Sequence, residues 1–533
     1  MTNLHVPRDG TTEFSINPFL PPDEYIPDGE PHVFGDRVYV YGSHDLSGMK
    51  GGMCAGDYVC YSASLENLAD WRYDGVIYKR RQDPYADRMT EAGDRMGLKS
   101  YLFAPDVIEI DGTYYLYYGV ALGKSGLALA VSDSPTGPFE YVGRVRYPED
   151  AKPAGWTDDV DGIEDGDMAF AAGRPLMDAR GMHMKGYPYD PALLVHDGRL
   201  FLYYGCAYCY VVELDMSDKR TVVKNPDTGT YETEIFAGNG WGMLAGLAFG
   251  RGPELQFGNG PSIREIDGRF VLAYYASGRG RFNGMYHAVA SDPRGPFTLA
   301  GPLVSLGNVR YDNQVGATDR VGNIHGGMFE VDGTWYQIYH RHTKDGRQAC
   351  ATPLTRKADG TFEHAEYTSQ GFSTDPLPAF RRWPAYMACY LTDGRGRGST
   401  RKRGPNVAER AFLGGPDRRD AANEGIVSVV TGLAEGSVVG FKYFDFADGQ
   451  DSPTTVTVEL NSETAGTVDV RVDDPTKGPL IGSIRVTPTG GRWAPFESDM
   501  RPTSGAHAIY LVFHPDGPSL GSIASIEFSP TAH

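Results

Sequence analysis

Three groups of residues in this chain have the types and spacing for chemistry. Cys206-Ala-Tyr-Cys209 is a C-x-x-C, which makes a redox or zinc site only in a βα context or beside a second ligand pair. It lies instead in a Tyr-rich, strand-like stretch, so two buried thiols are expected. His340-Arg341-His342 sets two imidazoles two residues apart. Alternate strand residues share a face, so His340 and His342 could reach one ion, but no third ligand is evident and a zinc site is rejected. The third group is acidic. Asp28 in Ile-Pro-Asp-Gly-Glu-Pro, Asp106 in Ala-Pro-Asp-Val and Asp190 in Tyr-Asp-Pro-Ala each stand just ahead of an aromatic strand. Taken singly, an Asp before Gly caps a turn. Brought to one pocket, such carboxyl groups could exchange protons with a bound molecule.

The elements that would bring them together repeat. PHVFGDRVYVYGS (31–43), PDVIEIDGTYYLYYG (105–119), PALLVHDGRLFLYYG (191–205), PSIREIDGRFVLAYYAS (261–277) and GGMFEVDGTWYQIYHR (326–341) share an apolar strand, a tight turn and an aromatic strand. Four turn on Asp-Gly and the first on Gly-Asp, both hairpin signals. Each copy is followed by a weaker strand pair. LALAVSDSPTGPFEYVG (127–143) and YHAVASDPRGPFTLAG (286–301) match closely, and 58–75 and 349–364 do so loosely. About four strands per unit is one propeller blade, and a spacing of roughly 65–85 residues suits a repeat array. Five blades close a ring without exposed sheet edges, and their first strands begin near its axis, where the acids would converge. The Tyr-Tyr pairs alternate faces and are expected to pack between blades.

Composition agrees. With 68 Gly and 36 Pro in 533 residues and 12 % aromatics, the chain turns often and is not disordered. Long-helix bundles and coiled coils are excluded. A net charge of −19 argues against nucleic acid as a partner, and the basic stretch Arg395–Arg403 reads as a solvated linker. No apolar run is long enough for a membrane helix. No basic segment followed by an apolar one marks a secretory leader, so a cytoplasmic location is expected. The fold class is all-β. Residues 1–375 are expected to form a five-bladed β-propeller, 376–404 a linker, and 405–533 a jelly-roll-like β-sandwich whose strands alternate apolar and polar residues.

The lead segment NPFLPPDEYIPDGEPHVFGDRVYVYGSHD and the four later repeats resemble glycoside hydrolase family 43 over about residues 15–375. The tail, including VVGFKYFDF (438–446), resembles the family 6 carbohydrate-binding modules. The resemblance implies a catalytic propeller that cleaves short plant-derived oligosaccharides or polysaccharide side chains from their ends, with inversion. One carboxylate then activates water and one carboxylic acid protonates the leaving oxygen. RQACATPL (347–354) points to the α-L-arabinofuranosidase-like branch, with β-D-galactofuranosidase and β-xylosidase as near alternatives.

Residue by residue, the resemblance makes Asp28 the base, with Glu30 a nearby rival. It makes Asp190 the acid that orients the proton donor and raises its pKa. The family's donor Glu precedes a small-small-Ser-Ile-Arg stretch, where this chain has Asn259 in Phe-Gly-Asn-Gly-Pro-Ser-Ile-Arg (257–264). An amide cannot deliver a proton. The donor is therefore Glu254 after a slip of five residues, or another acid such as Glu265 or Asp267. Otherwise the propeller lacks a conventional acid and binds carbohydrate without hydrolysing it. Asn259, Phe103, Asp106, Arg281 (or Phe282) and His325 are candidates to line the sugar pocket. His325 matches an axial histidine often found beside calcium or water, so a structural calcium there is the metal the resemblance allows. The chemistry needs no cofactor. Tyr443, Phe444, Trp493 and Phe496 of the tail stand open between core and sugar-facing surface.

Overall fold

The computed structural model describes residues 13–47, 53–84, 102–120, 126–148, 190–205, 209–236, 256–278, 282–400, 402–409, 428–447 and 455–529. The hairpins form as their turns require. Asp111-Gly112, Asp197-Gly198, Asp267-Gly268 and Asp332-Gly333 all have φ between 50° and 81° at both residues, the conformation of a type I′ turn. In the first copy only Gly35 turns positive, at 64°. Its Asp36 needs no left-handed backbone.

Each hairpin supplies the first two strands of an antiparallel sheet. Blade 1 runs Glu30–Phe34, Arg37–Tyr41, Tyr58–Ser64, Asn67–Tyr78. Blade 2 runs Asp106–Ile110, Thr113–Gly119, Leu127–Ser132, Glu140–Arg144. Blade 3 has Ala192–His196, Arg199–Tyr204 and Tyr210–Leu214, the last pairing both Val222–Val223 and Glu232–Glu234. Blade 4 runs Gln256–Ile266, Arg269–Gly278, Phe282–Ala290, Thr298–Ser305. Blade 5 has three strands, Met328–Val331, Thr334–His342 and Arg347–Leu354. Its outer edge is covered by the N-terminal segment. The Asn17 side chain donates to the Ala351 carbonyl (2.9 Å) and accepts from the Ala351 N–H (2.8 Å), imitating a paired strand.

Period-2 alternation sends each strand's side chains to the two neighbouring blades. Tyr118 packs with blade 1 and Tyr117 with blade 3; Tyr203 packs with blade 4 and Tyr204 with blade 2; Tyr274 packs with blade 3 and Tyr275 with blade 5. Five apolar clusters fill the five gaps between blades, the last between blades 5 and 1. The shared Gly-Pro-Phe motif is one of the joints. Phe139 N–H donates to Ile77 O (2.8 Å) and Phe297 N–H to Ile235 O (2.9 Å), each on the preceding blade. Gly327 N–H donates to Gly29 O (2.9 Å) and closes the ring.

The C-terminal part is a sandwich of two six-stranded sheets. Here the expected linker needs correcting. Leu377–Pro378 and Tyr390–Thr392 pair the strand Val438–Asp445 in one sheet, and Arg382–Pro384 pairs Ser522–Ser529 in the other. Leu377, Trp383, Met387 and Leu391 lie in the sandwich core. Strands of two or three residues are too short for alternation to show, which is why this segment reads as irregular. Arg395–Arg403 is likewise tied down, because Arg397 and Arg403 both pair with Asp393.

Candidate active site

Asp28 sits two residues before the first strand of blade 1, and Asp190 two before the first strand of blade 3. Both are buried and both hold left-handed backbone, with φ of 61° and 50°. Strain of this kind in a residue with a Cβ persists only where surrounding contacts impose it. Those contacts are explicit at Asp28. Ser43 Oγ donates to its Oδ2 (2.8 Å) and Arg347 Nη1 reaches both oxygens (3.3 and 3.2 Å). The Asp28 N–H donates to His340 Nδ1 (3.2 Å). Arg347, the first residue of blade 5's third strand, is held in turn by Asp45. Its Nε donates to Asp45 Oδ2 (2.9 Å) and its Nη2 to Asp45 Oδ1 (2.8 Å). The Cys54 N–H also donates to Asp45 (2.8 Å).

This wiring pushes the two acids apart. Burial raises the pKa of Asp28, but Arg347, with His340 and His325 adding, outweighs it and holds the carboxyl well below the usual carboxylate range. Asp190 has no such compensation. Burial, reinforced by the negative charge of Asp28, drives its pKa well above normal, and Arg347 opposes only in part. Asp28 is therefore held in its charged form, and Asp190 keeps its proton to higher pH than an ordinary carboxyl. Asp190 is itself the raised acid, rather than simply the carboxylate that raises a neighbour.

Below this pair lies an axial hub. Glu30 Oε1 accepts from Ser262 Oγ (2.9 Å) and Arg264 Nη2 (2.7 Å), and Arg264 also donates to Pro31 O (2.7 Å) and Met328 O (2.8 Å). Asp106 Oδ1 meets His32 Nε2 (2.6 Å) and Oδ2 accepts the Leu193 N–H (2.7 Å). All five blades meet here. Burial and the nearby Asp106 charge raise the pKa of Glu30 against the opposing pull of Arg264. Glu30, His32 and Asp106 could each offer one ligand atom to a metal ion, but hydrogen bonds already occupy Asp106 and Glu30 Oε1.

The structure redistributes the other candidates. Asp106 is fully buried with both oxygens engaged, so it ties blades together and does not face a sugar. Phe103 is a buried ring packed with Cys54 and Ala55, so its face is not open as a stacking platform. Asn259 is half-buried on the first strand of blade 4, opposite Tyr275 and between two bulges. Glu254, Arg281 and Cys206 lie outside the described residues, and Cys209 is a buried free thiol. Glu265 contacts His196 and Asp267 contacts Arg356, and both belong to blade 4's first hairpin. His340 and His342 both turn Nε2 to the Asn323 carbonyl, at 2.9 and 2.8 Å.

His325 is buried against Gly260, where an added Cβ would lie 2.5 Å from the ring. Burial lowers its pKa to about 4, so the ring is neutral. Its Nδ1 is 3.8 Å from Asp28 Oδ1. One imidazole and one Arg-bound carboxylate do not make a calcium site from protein donors, since calcium takes six to eight oxygens.

The residues that sequence reasoning missed are Ser43, Asp45 and Arg347. Their signal was charge or polarity at the ends of otherwise apolar strands, in Gly-Ser-His-Asp (42–45) and at the head of RQACATPL.

Comparison with known proteins adds four findings. Residues 411–530 match the carbohydrate binding module (family 6). The chain is 30% identical over 510 residues to a xylosidase/arabinosidase of Thermoclostridium stercorarium, covering 94% of this chain and 96% of that one. It is 25% identical over 538 residues to an arabinoxylan arabinofuranohydrolase of Paenibacillus polymyxa, covering 93% and 72%. Among solved structures, a glycoside hydrolase family 43 arabinoxylan arabinofuranohydrolase from Bacillus subtilis, in complex with cellotetraose, aligns over 96% of this chain and 97% of its own at 20% identity and a TM-score of 0.44.

Proposed function

The chain belongs to glycoside hydrolase family 43 and is a glycosidase, and from that premise we propose that it is an exo-acting, inverting α-L-arabinofuranosidase of plant-derived oligosaccharides. The observation that carries the mechanism is the clamp on Asp28, where Arg347 Nη1 reaches both carboxylate oxygens (3.3 and 3.2 Å) and Ser43 Oγ donates to Oδ2 (2.8 Å), because a carboxylate held in its charged form is what a general base for water requires. In this reading Asp28 takes a proton from water as the water oxygen attacks the anomeric carbon. The bond to the leaving oxygen breaks as that oxygen receives a proton. Glu254 is our assignment for the donor, with Asp190 orienting donor and sugar. The relatives' names support the sugar class, and the name xylosidase/arabinosidase keeps β-xylosidase as the second reading.

The test is release of p-nitrophenol from α-L-arabinofuranoside, β-D-xyloside and β-D-galactofuranoside. The arabinofuranoside should turn over fastest, with NMR showing the inverted anomer first. Glu254→Gln should lose about 10²–10⁴ in rate on sugar leaving groups and recover on activated aryl ones. A full rate for Glu254→Gln on sugar leaving groups would transfer the donor role to Asp190. An inert parent that Asn259→Glu activates would favour a carbohydrate-binding propeller.

A further inference from the structure

A cavity of about 210 Å³ opens on the seam between propeller and sandwich, and neither Asp28, Asp190 nor Arg347 is among the described residues that line it. Its walls include Tyr311, His364, Glu363, Glu366 and Gln370 from the propeller side and Tyr443 from the sandwich. Aromatic faces combined with carboxylate, amide and hydroxyl groups are the usual lining of a site for a small polar ligand.

Two further observations indicate a built site. The loop bearing Tyr311 has left-handed backbone at Asn308, Arg310, Asp312 and Asn313, with φ from 43° to 66°, a conformation costly for residues with a Cβ. It is pinned to the segment that carries Glu366 and Thr368 of the lining, where Asn308 Nδ2 donates to Tyr367 O (3.1 Å) and Asn308 Oδ1 accepts the Tyr367 N–H (2.7 Å). This presents the Tyr311 ring edge-to-face with His364, centroids 5.4 Å apart. On the opposite wall, Tyr443 Oη (2.9 Å) and Lys442 Nζ (2.6 Å) both donate to Glu366 and fix that carboxylate. Burial lowers the His364 pKa to about 4, so its imidazole is uncharged at neutral pH. Lys442 balances Glu366, and Glu363 remains exposed at the rim, which disfavours anionic ligands.

We propose that this seam cavity is a second carbohydrate-binding site, for a neutral sugar unit of the same chain the catalytic pocket trims. The proposal rests on the glycosidase assignment for its ligand class and stands apart from the catalytic residues. Polysaccharide held at the seam would anchor substrate while its side chains are removed elsewhere.

The test is calorimetric titration of the full-length chain, carrying Asp28→Asn to prevent turnover, with xylotetraose. Tyr311→Ala added to this background should bind one equivalent fewer, and Glu363→Gln should weaken the same equivalent at least several-fold. In the active parent, both substitutions should leave aryl-glycoside turnover within two-fold. Unchanged stoichiometry and affinity in a folded Tyr311→Ala protein overturns the proposal. So does preferential seam binding of a glucuronic-acid-bearing oligosaccharide. A parent inert on aryl glycosides that still loses the seam equivalent would overturn the catalytic reading alone.

Discussion

At the residue scale the site is decided by who faces Asp28. Asp28 and Asp190 are chemically identical, both buried and both on left-handed backbone, yet one is held in its charged form and the other is pushed toward its neutral form. The difference is Arg347, 319 positions along the chain from Asp28. Replacing it with Met removes the strongest of the contacts that oppose burial, so the Asp28 pKa rises and the base is lost at higher pH. The acid limb of kcat/KM should move toward neutrality, and the protein should lose about 3–5 kcal/mol because two buried carboxylates lose their counter-charge. A pH–rate profile with an unmoved acid limb would remove Arg347 from this role. Asp190 predicts the opposite kind of pH dependence. Its folded pKa lies above the ordinary carboxylate value, so its contribution is fully present below pH about 4 and is lost as pH rises toward the folded pKa. Asp190→Asn should therefore raise Tm at pH 7 and leave it unchanged near pH 3.5, a difference thermal denaturation at the two pH values would read. A variant equally stabilised at both would mean the carboxyl's charge is not the cause.

At the element scale the repeat is a hairpin whose turn does the specifying. Gly198 holds φ of 69° with nothing within 4 Å of a would-be Cβ. Gly198→Ala should thus cost only the left-handed backbone penalty, about 1–2 kcal/mol. Asp36 stands at the equivalent second position of a turn where only Gly35 is left-handed. Asp36→Ala should stay within about 0.5 kcal/mol of the parent. Urea denaturation of the two variants tests the distinction, and equal costs would defeat it. The same locality explains what could be read in advance. Asp-Gly turns and alternating tyrosines act through neighbours a few residues away, so the hairpins and the two-sided packing of the blades were visible as pattern. The sandwich strands within 376–404 were not, because two or three residues carry no period and their pairing partners lie 46–145 positions downstream.

At the scale of the whole molecule, propeller and sandwich share their supports. Arg341 is fully buried and donates to Ala388 O (2.8 Å) and Tyr386 O on the segment that feeds the sandwich core, and to Gln348 Oε1 (3.0 and 2.9 Å). Ser428 Oγ of the sandwich donates to Pro22 O (3.3 Å), and Ser369 N–H to Lys442 O (2.9 Å). Stopping the chain after residue 375 would strip a buried guanidinium of two acceptors, and unmet hydrogen bonds to charged groups are costly. The truncated propeller should be insoluble or unfold far below the parent, while the full chain unfolds in one cooperative transition. Two separated transitions, or a stable fragment 1–375, would show that the parts stand independently.

The sequence by itself determined the blade number, the hairpin turns, the alternation that fills the gaps between blades, and the placing of Asp28 and Asp190 at blade starts. These depend on backbone geometry and on period-2 burial, both local. Only the tertiary structure decided which acid is charged, that Asp106 and Glu30 brace the ring, and that Arg347 and Asp45 belong to the site. Those outcomes depend on desolvation and on partners hundreds of residues apart, and neither exists until the ring closes.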